Sequence, residues 1–222
     1  MPPDSSVPLW LWRVVTWGFG VALVAVAALA VALANGLADP PRAGPLLWQD
    51  DFKQATARWQ WIAAEGATLA PRDGALVAGF TAPDQTVFAL APGVAGDFTL
   101  EIAGAQTEGA LGAQYGLVFD WQDAHHYSAA LLNGNGYAEA YQHSGASRAD
   151  WFTWAQWPHI LFGTEANRVR VDVRDTRVIA RINDEVLMET TLARTSGGRL
   201  GVMARSIGAG RVVFSWVRVW GK

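Results

Sequence analysis

Between Val14 and Ala34 the chain runs for 21 residues without a charged side chain. As a helix rising ~1.5 Å per residue this stretch reaches roughly 31 Å, about the thickness of a bilayer's hydrocarbon core. Trp10, Trp12, Arg13 and Trp17 stand at its N-terminal end. Amphipathic indoles and a snorkelling guanidinium are what a headgroup interface selects, so these four are expected at the membrane interface. Two readings of the segment compete. Ala32-Leu33-Ala34 has the small-x-small form of a signal-peptidase site, but the apolar run exceeds the ~7–15 residues of a cleavable h-region. A retained signal anchor is the expectation, with a cytoplasmic N-terminus and everything after the helix exported. The positive-inside bias is nearly balanced, since Arg13 flanks one end and Arg42 the other.

The expected organisation is a tail over 1–8, a transmembrane helix over 9–34, a linker over 35–45 and one domain over 46–222. Pro40, Pro41 and Pro45, with Gly36 and Gly44, stop a helix and stiffen the spacer. Beyond Leu46 the apolar pattern alternates. Phe98, Leu100 and Ile102 share one parity against Thr99 and Glu101, and Val169, Val171 and Val173 share one against Arg168, Arg170, Asp172 and Arg174. A period of two predicts half-buried strands. Asp73-Gly74, Asn133 to Gly136, Asn183-Asp184 and Ser196-Gly197-Gly198 supply turn residues between the runs. No later segment keeps a helical period over three turns, which leaves an all-β sandwich or jelly roll. The arginines Arg168, Arg170, Arg174 and Arg181 are expected on a solvated β face that deters edge pairing, although such a stripe also suits phosphate headgroups or acidic polysaccharide.

Several segments carry a family resemblance. Asp50-Asp51-Phe52 with Trp59, Tyr115 to Asp123 leading to Tyr127, Asn167 to Val171 followed by Ala180 to Asp184, and Gly198 to Val202 resemble the concanavalin A-like, laminin G-like jelly rolls of bacterial surface proteins, including domains of the 3-keto-disaccharide hydrolase type. The likeness spans nearly all of residues 47–221. It implies a concanavalin A-like β-sandwich behind one transmembrane helix, with a concave face suited to a glycan. Lectins, glycanases and interaction modules all use this fold, so the resemblance does not choose among them.

A net charge of −3 from 17 Lys plus Arg and 20 Asp plus Glu gives no footprint for nucleic acid. Without cysteine there is no disulfide framework, thiolate metal site or thiol nucleophile. Catalysis by paired carboxylates needs two of them facing each other, and no Glu-x-Asp-x-Glu strand is present; Glu139 stands between Ala138 and Ala140. No catalytic residue, metal site or cofactor is therefore expected, calcium on Asp120, Asp123 or Asp150 remaining an open alternative without dense ligand spacing. His125 and His126, adjacent on a strand, point to opposite faces, and with Asp123 they read as a polar hairpin end.

The most unusual local feature is Asp150 to Pro158, with Trp151, Trp154 and Trp157 at intervals of three and Tyr137 and Tyr141 on the strand before. These five are the candidate ligand-binding residues, because aromatic faces stack on sugars and anchor protein partners. An interval of three cannot keep all three indoles on one side of a regular strand, so at least one is expected to plug the core and part of the segment to be a loop. The leading expectation is a non-catalytic module for glycan or protein, held in the cell membrane by its helix with the β domain periplasmic or at the cell surface. A structural accessory subunit with membrane-protein partners is the alternative, and a jelly-roll glycan hydrolase the second.

Overall fold

The computed structural model describes residues 8–34, 39–54, 57–192 and 198–222. The chain forms two compact units, Met1–Pro41 and Arg42–Lys222. In the first, helix α1 covers Leu9–Ala34, and within it Trp10–Ala32 forms 23 residues of mean hydropathy 2.3, long and apolar enough to cross a membrane. From Trp10 to Val31 its side chains are exposed: Trp10 is 63% exposed, Trp12 60% and Trp17 76%. The polar Thr16 is accommodated because its hydroxyl donates back to the Trp12 carbonyl at 2.9 Å.

Among the described residues the second unit has fifteen strands. In chain order they are β1 (Leu46–Asp50), β2 (Gln60–Ala63), β3 (Thr68–Arg72), β4 (Ala75–Phe80), β5 (Pro83–Ala91), β6 (Phe98–Gly109), β7 (Gln114–Asp123) and β8 (His126–Leu132). There follow β9 (Tyr137–Ser144), β10 (Ser147–Gln156), β11 (Asn167–Arg174), β12 (Arg177–Ile182), β13 (Glu185–Thr191), β14 (Arg199–Ile207) and β15 (Gly210–Gly221). They make two antiparallel sheets. One has eight strands in the order β13-β12-β11-β6-β15-β4-β3 with β1 also on β15; the other has seven in the order β10-β9-β8-β7-β14-β5-β2. Sequence-distant strands lie side by side, β6 with β15 and β7 with β14, as the crossed connections of a jelly roll require.

Alternation sets the core. Leu100 and Ile102 of β6, Val169, Val171 and Val173 of β11, and Val217 and Val219 of β15 meet Leu117 and Phe119 of β7 and Val202 of β14 between the sheets, each no more than 1% exposed. Burial of each such side chain is worth roughly 1.5–3 kcal/mol. The segments that carried the resemblance have structural work to do. The buried Asp50 carboxylate accepts from the Phe52 amide at 2.7 Å and from Trp59 Nε1 at 2.8 Å, closing the turn after β1. Asn167 accepts from the Leu161 amide at 2.8 Å and donates to the Leu161 carbonyl at 2.9 Å, while the Asn183 carboxamide accepts from the Arg168 amide at 2.8 Å. The expected turns at Asp73-Gly74, Asn133 to Gly136 and Asn183-Asp184 all join paired strands, and Asp73 and Asn183 take positive φ. Of Ser196-Gly197-Gly198 only Gly198 is among the described residues.

The outer face of the eight-stranded sheet departs from the solvated stripe expected of its arginines. Arg170 is 2% exposed, Glu101 1% and Asp172 6%. Arg170 Nη2 donates to Asp172 Oδ1 at 2.7 Å, Thr99 Oγ1 donates to the same oxygen at 2.7 Å, and Arg174 and Arg181 close on Asp172 at 3.8 and 3.4 Å. Arg42 holds Glu101 at 3.1 Å, with Arg168 3.7 Å from the other carboxylate oxygen. The reason is register. Arg170 stands directly across from Glu101 on β6 and Arg181 on β12, so the charges desolvate one another in a row across three strands. Part of the expected linker belongs to this face too. The Ala43 amide donates to Thr99 Oγ1 at 3.0 Å, and the Gly221 amide donates to the Pro45 carbonyl at 3.1 Å, so the sandwich unit starts at Arg42, four residues before β1.

Candidate functional site

The outer face of the seven-stranded sheet has an apolar floor. Because Val87, Ala89 and Ala91 point into the core, Phe88 and Leu90 point away from it, yet they are 7% and 0% exposed. They join Val118, Leu131, Met203 and Tyr141 in a second cluster, flanked by Ile62, Trp121 and Tyr127. Along β9 the regular pairing with β8 places Tyr137, Glu139, Tyr141 and His143 on this face, a track of about 20 Å at the usual strand rise.

One end of the track is aromatic. Tyr137 and Trp154 stack with centroids 5.8 Å apart at 19°, and both are more than one third exposed. In the middle, Arg148 of β10 bridges Glu139 and Asp150, and its guanidinium lies 3.8 Å from the centre of the Tyr141 ring. Tyr141 is thereby 4% exposed, and burial is the main cause that pushes its phenol pKa up. At the far end, Tyr127 and His143, cross-strand partners, stack at 5.4 Å and 14°. They wall a cavity of about 170 Å³ with Asp120, Gln122, His126 and Ser144. His143 Nδ1 on β9 and, two strands away on β7, Trp121 Nε1 are buried without a hydrogen-bond partner among the described residues. A buried polar nitrogen left unpaired costs ~1–3 kcal/mol, which makes this the least satisfied part of the sheet's outer face.

The five candidates separate. Trp151 lies half-buried on the core against Phe119, ring centroids 6.2 Å apart, and Trp157 packs edge-on to Phe152 at 5.9 Å. Trp154 and Tyr137 are exposed, and Tyr141 is floor. The expected loop is instead strand β10 as far as Gln156, at the edge of the sheet. Trp151 and Trp157 share one side of the strand and Trp154 the other, as an interval of three dictates, and the two register shifts, between Asp150 and Phe152 and between Phe152 and Ala155, cancel and preserve that parity. Replacing Trp151 by alanine is expected to cost about 2 kcal/mol through lost packing, and Trp154→Ala less than about 1 kcal/mol. Equal losses in urea unfolding of the two variants would contradict this division.

Asp123 accepts from the His125 amide at 2.7 Å and closes on His126 Nδ1 at 2.9 Å; with the backbone bond foremost, these hold its carboxyl below the usual range. His126 and Asp123 thus form a polar hairpin end. Among the described residues no group of three or more His, Asp or Glu converges as metal ligands. Tyr127, His143 and Arg148 were not singled out from sequence. The alternation Tyr137, Glu139, Tyr141, His143 carried the signal, since four polar or aromatic residues share one parity while Ala138 and Ala140 hold the other.

No protein-family model matches this chain, and no curated protein matches it. Solved structures do share its fold. A carbohydrate-binding module, CBM66 of Bacillus subtilis, superposes with a TM-score of 0.56 at 16% identity over 72% of this chain and 95% of its own. The Emp47p carbohydrate recognition domain gives 0.56 at 15% identity, over 78% of this chain and 93% of that one. A protein of unknown function with a galectin-like fold from Bacillus subtilis gives 0.56 at 12% identity over 80% and 96%. The sandwich unit is a jelly roll, the fold these structures share.

Proposed function

We propose that this chain is a non-catalytic glycan-binding module, displayed outside the cytoplasm on a single-pass membrane anchor formed by α1. The observation that carries the reading is the cavity beside the stacked Tyr127 and His143, where flat ring surface adjoins the polar side chains of Gln122, Gln142 and Ser144. Sugar recognition asks for that pairing: an aromatic face for the C–H side of a pyranose and a polar group for its hydroxyls. The neighbours described as carbohydrate-binding point the same way. A binding role without hydrolysis is favoured because Glu139 and Asp150 both close on Arg148, whose guanidinium fills the space between them that a scissile bond would need.

The test is binding of the full chain, in detergent, to a broad glycan panel. A saturable ligand is expected, bound at least about tenfold more weakly by His143→Ala and Tyr127→Ala, the scale of one lost hydrogen bond or ring contact. Binding is expected to persist in EDTA. A panel without a ligand, or full binding by both variants, would overturn the reading.

A further inference from the structure

We propose that the outer face of the eight-stranded sheet is a headgroup-docking surface that lays the sandwich against an anionic lipid bilayer. This rests on reading α1 as a membrane-spanning helix. The charge is one-sided. Five guanidinium groups, on Arg42, Arg168, Arg170, Arg174 and Arg181, share the carboxylates of Glu101 and Asp172, with the Asp184 carboxylate a further partner of Arg168 and its carbonyl of Arg181. The chain as a whole is acidic, at −3, so this face is positive on a negative protein. Burial of Glu101 and Asp172 fixes the arginine heads, while Arg168 and Arg174 leave 39% and 33% of their side chains to solvent. Guanidinium groups held in place and partly open to solvent, as on Arg168 and Arg174, suit phosphodiester oxygens.

The same face carries indoles. Trp216, Arg218 and Trp220 of β15 alternate with the buried Val217 and Val219 and so point outward. The Arg218 guanidinium lies 4.3 Å from the Trp216 ring centre and that of Arg42 4.9 Å from Trp220. Tryptophan beside arginine is the pairing that partitions to the headgroup layer. The tether agrees. Arg42, whose side chain reaches Glu101 on this face, is eight peptide steps from Ala34, the last helical residue, and eight steps span at most about 28 Å. Where α1 crosses the bilayer, chain length alone keeps Arg42 within about 28 Å of the helix end, and anionic lipid supplies charge complementary to the arginines.

The chain has no cysteine, so single labels can be placed at will. In the full chain reconstituted into vesicles, nitroxides at Ser215→Cys, exposed beside Trp216, and at Thr153→Cys, exposed on the other sheet, are read against lipids carrying a paramagnetic headgroup chelate. Headgroup contact is expected at 215 and not at 153, in phosphatidylglycerol-containing vesicles and not in phosphatidylcholine alone, with loss at high salt. Contact is expected to vanish in Arg168→Gln/Arg174→Gln/Arg218→Gln and to persist in the corresponding lysine variant, which keeps the charge. Equal signals at both labels, or contact indifferent to lipid charge, would overturn the proposal. So would absence of lipid contact together with capture of this face by a soluble acidic polysaccharide, which would name that polymer as the partner. Carbonate extraction of the same vesicles separates the premise from the proposal: a chain that washes off was never inserted, and both fall.

Discussion

Replacing Asp172 by alanine is expected to lower the stability of the sandwich by about 3 kcal/mol, the lower end of what breaking a buried ion pair costs. Asp172 is 6% exposed and is the acceptor for Arg170 at 2.7 Å and Thr99 at 2.7 Å, with Arg174 and Arg181 within 4 Å. Truncation removes the carboxylate oxygen that accepts from both Nε and Nη2 of Arg170, 2% exposed, and adds repulsion among three arginines. For a domain of this size the loss corresponds to a fall of about 6–12 °C in Tm. The decisive control is Arg170→Met/Asp172→Leu. Removing both charges abolishes the desolvation penalty along with the attraction, so the double variant is expected to recover most of the loss. A single variant that loses less than about 1 kcal/mol would show the pair to be solvent-screened like an ordinary surface bridge.

That network also marks where sequence stops being informative. The alternation of Val169, Val171 and Val173 with Arg168, Arg170 and Arg174 assigns the two faces of β11 correctly. Whether the polar face is wet depends on what stands beside it. Glu101 precedes Arg170 by 69 positions, and only the β6-β11 register brings them opposite. The same limit governs the candidate site. Trp151, Trp154 and Trp157 drew attention because three indoles lie within seven residues, and their spacing splits them between two faces, but which face meets the core, with Trp151 on it and Trp154 outside, is set by the pairing of β10 with β9. Tyr127 and His143 are 16 residues apart and become a stacked wall through the β8-β9 hairpin. The apolar run of α1 and the turn residues were legible because the physics they report is local. Pairing is not local.

The largest effect is expected at Phe214→Ala. Phe214, 0% exposed, lies directly across from Gly104 on β6 and meets the Tyr115 ring of the opposite sheet edge-on, centroids 6.4 Å apart at 74°. Burial pushes the Tyr115 phenol up to about 12, in keeping with a dry centre, and Asn167 Nδ2 donates to its oxygen at 3.4 Å. Removing the ring is expected to cost about 3–5 kcal/mol, the usual range for a buried Phe truncated to Ala. Gly104 explains how the ring fits. A Cβ there would stand 2.9 Å from Phe214 Cδ1 and 3.3 Å from Tyr115 Cδ2, so the glycine leaves room that the two aromatic rings fill. Gly104→Ala alone is therefore expected to cost about 1–2 kcal/mol by overpacking. In Phe214→Ala/Gly104→Ala the added methyl enters the space the ring vacated, and the double variant should be more stable than the sum of the singles by about 1 kcal/mol. Urea unfolding of all four proteins measures that coupling. Strict additivity would mean that the glycine and the ring do not share one packing space, and that the centre of the jelly roll relaxes around each change independently.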